Sequence, residues 1–239
     1  MSRLKVISSG SSGNGYVIES CGRYLILELG CNFDEYIRNT EYSTSNIVAC
    51  LVSHRHGDHI RKDTLDKFLK YKVPVFANDD VCAMYQGCGK IDMPVLVVGG
   101  FTIRHFDLVH SVPNTAYVID TPDNVRILFA TDTEYVPKIV KNVNVAIIEA
   151  NYDENVIIDN IIDDQWNSSR YSCHQNINRC IQYLKKLDPG CMTQVVLCHL
   201  SQNNANRKDF VKKTQELLSF DNVCVAEPNL CLNLNNCEF

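Results

Sequence analysis

The segment Asn46-Ile47-Val48-Ala49-Cys50-Leu51-Val52-Ser53 runs straight into His54-Arg55-His56-Gly57-Asp58-His59, and its reading decides the fold. The first half is a β-rich run apolar enough for a central strand. From Ile60 to Tyr71, the residues Ile60, Leu65, Phe68 and Leu69 fall near helical spacing, so a helix follows. Between strand and helix stands an HxHxDH cluster. Alternate residues of an extended segment point the same way, so His54 and His56 are placed to ligate one ion. Asp58 and His59, where the chain turns, are placed to reach a second ion beside it. Imidazole and carboxylate suit Zn²⁺, Mn²⁺ or Fe, and Gly57 is expected to let the backbone turn tightly between the two pairs. The competing reading is a solvated loop that happens to be rich in histidine. Four such residues within positions 54–59 count against it.

Working outward, Leu4–Ile7, Tyr16–Glu19 and Tyr24–Glu28 read as strands separated by tight turns, one of them the loop Ser8–Gly15. Val73–Ala77 is a further strand with a short helix behind it. Phe101–Leu108, Thr115–Ile119, Val125–Ala130, Val143–Ala150 and Gln194–His199 form a second block of strands. Helices are expected over His174–Leu187 and Arg207–Leu218, and Asn233–Phe239 as a loose end. With no linker or low-complexity tract in view, residues 1–239 read as one α/β domain. Two sheets packed face to face, helices outside and a site along one edge accommodate this pattern.

The composition narrows the function classes. The 239 residues are 45% hydrophobic and 21% charged, with net charge −5. A core of this size supplies its own stability, so a metal here serves chemistry rather than folding. The acidic balance argues against a protein that coats nucleic acid through a broad basic surface. It leaves room for local phosphate binding, because bound cations can dominate a site's charge. Met1-Ser2-Arg3 leads directly into a strand-like run and no apolar stretch reaches the length of a membrane span, so a cytoplasmic, non-membrane protein is expected. The 12 cysteines lack CxxC pairs and are expected to be reduced, mostly buried side chains.

HxHxDH after a buried strand resembles the signature of the metallo-β-lactamase superfamily, which implies a four-layer αββα sandwich with a dinuclear site. Later positions match the rest of that family's pattern: His110 in Leu108-Val109-His110-Ser111, Asp132 in Phe129-Ala130-Thr131-Asp132-Thr133, and His199 in Leu197-Cys198-His199-Leu200-Ser201. The resemblance thus implies His54, His56, Asp58, His59, His110, Asp132 and His199 as ligands of two divalent ions, zinc or manganese, with iron also suited. Asp132 is the bridge between them. Glu28 stands where the family has Asp, as a support of the metal loop rather than a ligand. His105, inside a strand, reads as a surface or core histidine. Cys198 faces away from His199 and reads as core.

Four further segments are similar to the compact YycJ/WalJ-like branch, which lacks an inserted β-CASP domain and is associated with DNA exonuclease activity. They are Ser9-Gly10-Ser11-Ser12-Gly13-Asn14, Glu149-Ala150-Asn151-Tyr152-Asp153, His174-Gln175-Asn176, and His199-Leu200-Ser201-Gln202-Asn203-Asn204. Phosphodiesterases of the superfamily carry a histidine at the start of the helix before the last ligand strand. The resemblance therefore makes His174 a candidate general acid, and Asp58 the other candidate catalytic residue. A helix-capping or merely exposed histidine is the alternative. The loop Ser8–Gly15 is either a phosphate cradle built of backbone N–H groups or only a tight connection. Arg55, Arg61 and Lys62 either steer an anion or are solvated.

Together these readings imply a metal-dependent phosphodiesterase, a DNA exonuclease-like nuclease working through a metal-bridging hydroxide, with DNA favoured over RNA. A small-molecule hydrolase of the same fold, acting on a cyclic nucleotide, thioester or lactone, is the rival. A non-hydrolytic metal-binding protein is a second. The oligomeric state is not legible.

Overall fold

The computed structural model describes residues 1–156 and 172–235. One seven-stranded sheet contains β1 (Ser2–Ser8), β2 (Gly15–Ser20), β3 (Arg23–Leu27), β4 (Ile47–Val52), β5 (Val75–Ala77), β6 (Gly89–Lys90) and β14 (Cys231–Asn233), in the order β14-β1-β2-β3-β4-β5-β6. The other contains β7 (Val95–Val98), β8 (Phe101–Leu108), β9 (Asn114–Asp120), β10 (Arg126–Ala130), β11 (Val145–Glu149), β12 (Gln194–Cys198) and β13 (Val223–Val225), in the order β13-β12-β11-β10-β9-β8-β7. Helices α1 (Phe33–Asn39), α2 (Lys62–Lys70) and α3 (Asp79–Met84) belong to the first half, and α4 (Ile177–Leu184) and α5 (Arg207–Leu218) to the second.

Alternation along the strands builds the layers. In β4, Ala49 and Leu51 face the second sheet, where they join Tyr117, Ile127, Phe129 and Val145 in the central core. Cys50 and Val52 face the other way, against Phe33 and Tyr36 of α1 and Leu65 and Phe68 of α2. In β10, Ile127 and Phe129 point inward, while Leu128 and Ala130 pack toward Ile177 and Cys180 of α4 and Phe210 of α5. Strands buried on both faces require continuous apolar runs, which is what β4, β10, β11 and β12 carry. The result is the expected α/β sandwich with helices on both outer faces.

Direction places the site. Strands β3, β4 and β5 run parallel, as do β10, β11, β12 and β13. β8 shares the direction of β10, because β9 is antiparallel to both. Carboxyl ends therefore gather at one edge, where loops can converge on a ligand. His54, Asp132 and His199 all lie just past such ends.

Several expectations change. Asn233 does not begin a loose end: it pairs with Arg3 of β1, while residues 236–239 lie outside the described residues. Helix α4 starts at Ile177, later than the expected His174, because Asn176 occupies the cap and accepts the Arg179 N–H. No disulfide occurs among the described cysteines. No helix there is long and apolar enough to cross a membrane.

The glycine that the metal loop depends on is not Gly57. Its backbone is not left-handed, and an added Cβ there meets nothing within 4 Å. The turn is instead a helical one, closed by His59 and Ile60 N–H groups donating to the His56 carbonyl. Gly30 is the tight position, since a Cβ would lie 1.8 Å from the Asp58 carbonyl oxygen. Gly30→Ala is accordingly expected to destabilise the protein by about 3 kcal/mol or more through overpacking. Gly57→Ala should change stability by less than about 0.5 kcal/mol. Denaturant unfolding of the two variants checks the contrast, and equal losses would contradict it.

Candidate metal centre

Three overlapping groups of four side chains able to hold an ion converge at the sheet edge, two made of the expected ligands and the third of Asp132, Glu149, His174 and His199, and Asp132 belongs to all three. In the first, His54 Nε2 lies 2.9 Å from His56 Nδ1, which is 3.3 Å from His110 Nε2. Asp132 Oδ2 is 3.7 Å from His54 Nε2 and 3.9 Å from His110 Nε2. The tautomer of His110 is set from behind. Its Nδ1–H donates to the Cys173 carbonyl at 2.9 Å, and a carbonyl only accepts, so neutral His110 turns a bare Nε2 lone pair toward the centre. Burial holds His54, His56 and His110 below the ordinary imidazole range, which keeps them in the neutral, ligating form.

In the second group, three contacts measure 3.4 Å: His59 Nε2 to Asp58 Oδ2, His59 Nε2 to Asp132 Oδ2, and His199 Nε2 to Asp58 Oδ2. Donor atoms bound tetrahedrally at 2.0–2.1 Å sit about 3.3–3.4 Å apart. The donor sets thus fit a divalent cation in both size and chemistry. Charge differs between the groups. Burial disfavours the imidazolium of His199, but Asp132, Asp58 and Glu149 outweigh it and push its pKa up to about 10. His59 is likewise raised, against burial, by Asp132 and Glu28. Asp58, despite burial, is held well below the carboxylate range by His199 and His59.

The chain holds these side chains with strained backbone and buried amides. Asp132 and His199 both adopt left-handed φ, 52° and 51°, a costly conformation for residues with a Cβ. Asn114 Nδ2 donates to the Thr131 and Asp132 carbonyls at 2.8 and 2.6 Å, and Asn151 Nδ2 to the His199 carbonyl at 2.7 Å. The Ser9 hydroxyl accepts the His199 N–H at 2.8 Å. Glu28, fully buried, accepts the Ser53 N–H at 3.2 Å and lies 3.5 Å from His59 Nδ1, the supporting position expected of it.

His174 adjoins the second group. Its ring stacks on His199 at 5.4 Å, and its Nδ1–H donates to Glu149 Oε1 at 2.7 Å. Glu149 is completely buried at the end of β11, and its other oxygen accepts the Thr133 and Gln175 N–H groups at 2.7 and 3.2 Å. Burial depresses the His174 pKa, but Glu149 reverses this and the net shift is upward. The helix-cap alternative for His174 falls, since Asn176 caps α4.

All seven residues singled out as ligands, and His174, therefore lie together. His105 stays apart on β8, its Nε2 3.3 Å from the Met93 carbonyl oxygen, and Cys198 lies in the inter-sheet core. Arg55, Arg61 and Lys62 pair with Asp80, Asp63 and Asp66, so none is a free anion-steering charge. In the loop Ser8–Gly15, the N–H groups of Gly10, Gly13 and Asn14 go to Asn14 Oδ1, the Gly10 carbonyl and the Asp58 carbonyl. That loop braces the site with its amides more than it offers them outward. Sequence reasoning gave Glu149, Asn14, Asn114 and Asn151 no role. The available signals were a lone acid closing the apolar run Val145–Glu149 and the branch-like segments that contain Asn14, Glu149 and Asn151.

This arrangement has counterparts. A family model described as the beta-lactamase superfamily domain matches residues 35–200, and the chain belongs to that family of metallo-β-lactamase-fold hydrolases. It is similar to exodeoxyribonuclease YycJ of Bacillus anthracis, 25% identical over 172 residues covering 64% of each chain. Exodeoxyribonuclease WalJ of Streptococcus pneumoniae is 24% identical over 175 residues, covering 65% of this chain and 64% of that one. The matches thus span somewhat less than two thirds of the curated relatives' length. Among solved structures, the metallo-β-lactamase fold protein YhfI of Bacillus subtilis superimposes with a TM-score of 0.75 at 20% identity, over 98% of this chain and 100% of that one.

The charge difference between the groups has a measurable consequence. His59 and His199, with raised pKa values, must lose protons before they can ligate, so affinity at the second group should rise as pH climbs toward about 10. The first group is already neutral at pH 7 and should show little dependence. Calorimetric metal titration at pH 6.5 and 8.5 is expected to show the weaker step strengthening by about tenfold per pH unit for each proton displaced. Parallel behaviour of both steps would contradict the assignment of charge.

Proposed function

We propose that the chain is a two-ion phosphodiesterase that cleaves nucleic acid, an exonuclease-type enzyme with DNA favoured over RNA. The observation that carries this reading is the Glu149–His174 pair beside the doubly shared Asp132. His54, His56, His110 and Asp132 would hold one divalent ion, zinc or manganese, and Asp58, His59, His199 and Asp132 the other. Two such ions would neutralise phosphate charge and lower the pKa of water to yield a nucleophile near neutral pH.

The chain's own residues supply the proton chemistry. Glu149 takes the Nδ1–H of His174, which leaves Nε2 as the ring atom for a substrate. The same carboxylate favours the imidazolium, so His174 keeps a proton to give near neutral pH. An alkoxide leaving from phosphorus needs that proton, whereas a thiolate does not, and the pair therefore favours phosphodiesters over thioesters. The names of the curated relatives support DNA as the substrate.

A second reading keeps the chemistry but shrinks the substrate to a cyclic nucleotide or another short phosphodiester. The cavity over the site is about 460 Å³, and Ser11, Ser201, Gln202, Asn203 and Asn204 give it a neutral rim. Arg179 is engaged by Glu134 and Lys213 by Asp153. A long duplex normally meets a patch of free cations.

His174→Ala is expected to slow cleavage of labelled DNA by about 10²–10⁴-fold with metal content unchanged. The loss should shrink on a nitrophenyl phosphodiester, whose leaving group departs without a proton. Equal losses on both substrates would remove the general-acid role. Loss of one ion would make His174 a ligand, and faster turnover of cyclic nucleotide than of DNA would favour the second reading.

A further inference from the structure

Asn151 follows the carboxyl end of β11 and is only 8% exposed. Its backbone is pinned on both sides. The N–H donates to the Gln175 carbonyl and the carbonyl accepts the Ser201 N–H, each at 2.8 Å. The side-chain orientation is fixed as well. The His199 carbonyl can only accept, so the group 2.7 Å from it is Nδ2, and Oδ1 turns the other way.

That oxygen has no donor among the described residues, yet it is not one of the unpartnered atoms sealed inside the protein. Asn151 lines the cavity of about 460 Å³ over the metal centre, so Oδ1 opens there. Apart from the candidate ligands and His174, the cavity wall is neutral and contains no Lys or Arg. Ser11, Gln202 and Asn203 are exposed at its rim, whereas Asn151 is buried and held rigid.

An amide oxygen accepts hydrogen bonds and cannot donate them. The oxygens of a phosphodiester at neutral pH are acceptors too, so they repel Oδ1 rather than pair with it. A hydroxyl or N–H is the group that suits it. Asn151 Nδ2 lies 3.2 Å from the His199 ring, which puts the amide beside the reacting centre. The donors a nucleic acid carries closest to phosphorus are sugar hydroxyls, with base edges farther out. We infer that Asn151 Oδ1 accepts a hydrogen bond from a sugar hydroxyl next to the scissile phosphate and so positions the strand. In DNA, sugar hydroxyls remain only at chain ends, and this contact directs cleavage to an end. In RNA every internal sugar carries one. The inference rests on the phosphodiesterase reading and adds to it the group by which the substrate is placed.

Substrates that differ in one hydroxyl test this in the full, metal-replete chain. The panel is a short DNA with free hydroxyls at both ends, the same DNA with the 3′- or the 5′-hydroxyl replaced by hydrogen, and each blocked DNA with one ribose beside the blocked end. Removing the hydroxyl that Asn151 meets should slow cleavage by about 10–100-fold, the scale of one buried acceptor left unpaired. The end that matters identifies the strand polarity, and rescue by ribose identifies the 2′-hydroxyl as a second source. In Asn151→Ala the preference should vanish. Mere loss of the brace on His199 would slow all substrates alike and leave their ratio unchanged. Equilibrium binding of dinucleosides joined by an uncleavable methylphosphonate makes the same comparison without turnover. If Asn151→Ala fails to fold, Asn151→Ser, with its shorter side chain, replaces it. A wild type indifferent to all these hydroxyls, or a preference that the variant keeps, would overturn the inference. Cleavage of none of the panel would overturn the phosphodiesterase reading itself and this inference with it, which separates the two failures.

Discussion

One carboxylate oxygen ties the structure together. Asp132 Oδ2 lies within 3.9 Å of His54, His59 and His110, nitrogen atoms carried by loops from both sheets. Asp132 is almost wholly buried and its backbone is left-handed, so its position is held by the surrounding structure rather than by its own preference. The amide of Asn114 grips the carbonyls on either side of the 131–132 peptide link. Thr131 Oγ1 donates to Asp132 Oδ1 at 2.8 Å. Parallel strands that end at a common edge, and two sheets whose inner faces pack closely, are what bring the remaining groups to that oxygen.

Electrostatics explains why the site calls for cations. Glu28, Asp132 and Glu149 are buried around one small volume with Asp58 half-buried beside them, and buried carboxylates are costly unless neutralised. Protons on His59 and His199 meet part of that need in the metal-free chain. A divalent ion would meet it with more charge in less space and would displace those protons. The net charge of −5 is then no obstacle to a phosphate substrate, because the local field at the site is set by what the site binds.

Much of this was legible in the sequence, and the reasons are physical. His54, His56, Asp58 and His59 stand out as candidate ligands because four such residues crowd one turn after an apolar strand, and His110, Asp132 and His199 are picked out by the resemblance to the family's pattern. Long strands and the helix Arg207–Leu218 carry enough periods to be read. The elements α1, β6, β7, β13 and β14 were not, since two to seven residues show little periodicity. Glu149, Asn14, Asn114 and Asn151 escaped for another reason. Their work is to hold backbone and ring edges contributed by distant segments, and the branch-like segments around Asn14, Glu149 and Asn151 mark three of them without recording what they hold. Gly57 drew attention by lying inside the motif, yet the steric limit sits at Gly30, where two loops touch.

The central claim is that one aspartate is shared between two nitrogen- and oxygen-bound ions. X-ray absorption on metal-replete protein, with elemental analysis of the same sample, tests it most directly. Two ions per chain about 3.5–4 Å apart, with nitrogen and oxygen neighbours alone, are expected. A single ion under saturating metal, or a sulfur neighbour at about 2.3 Å, would contradict it.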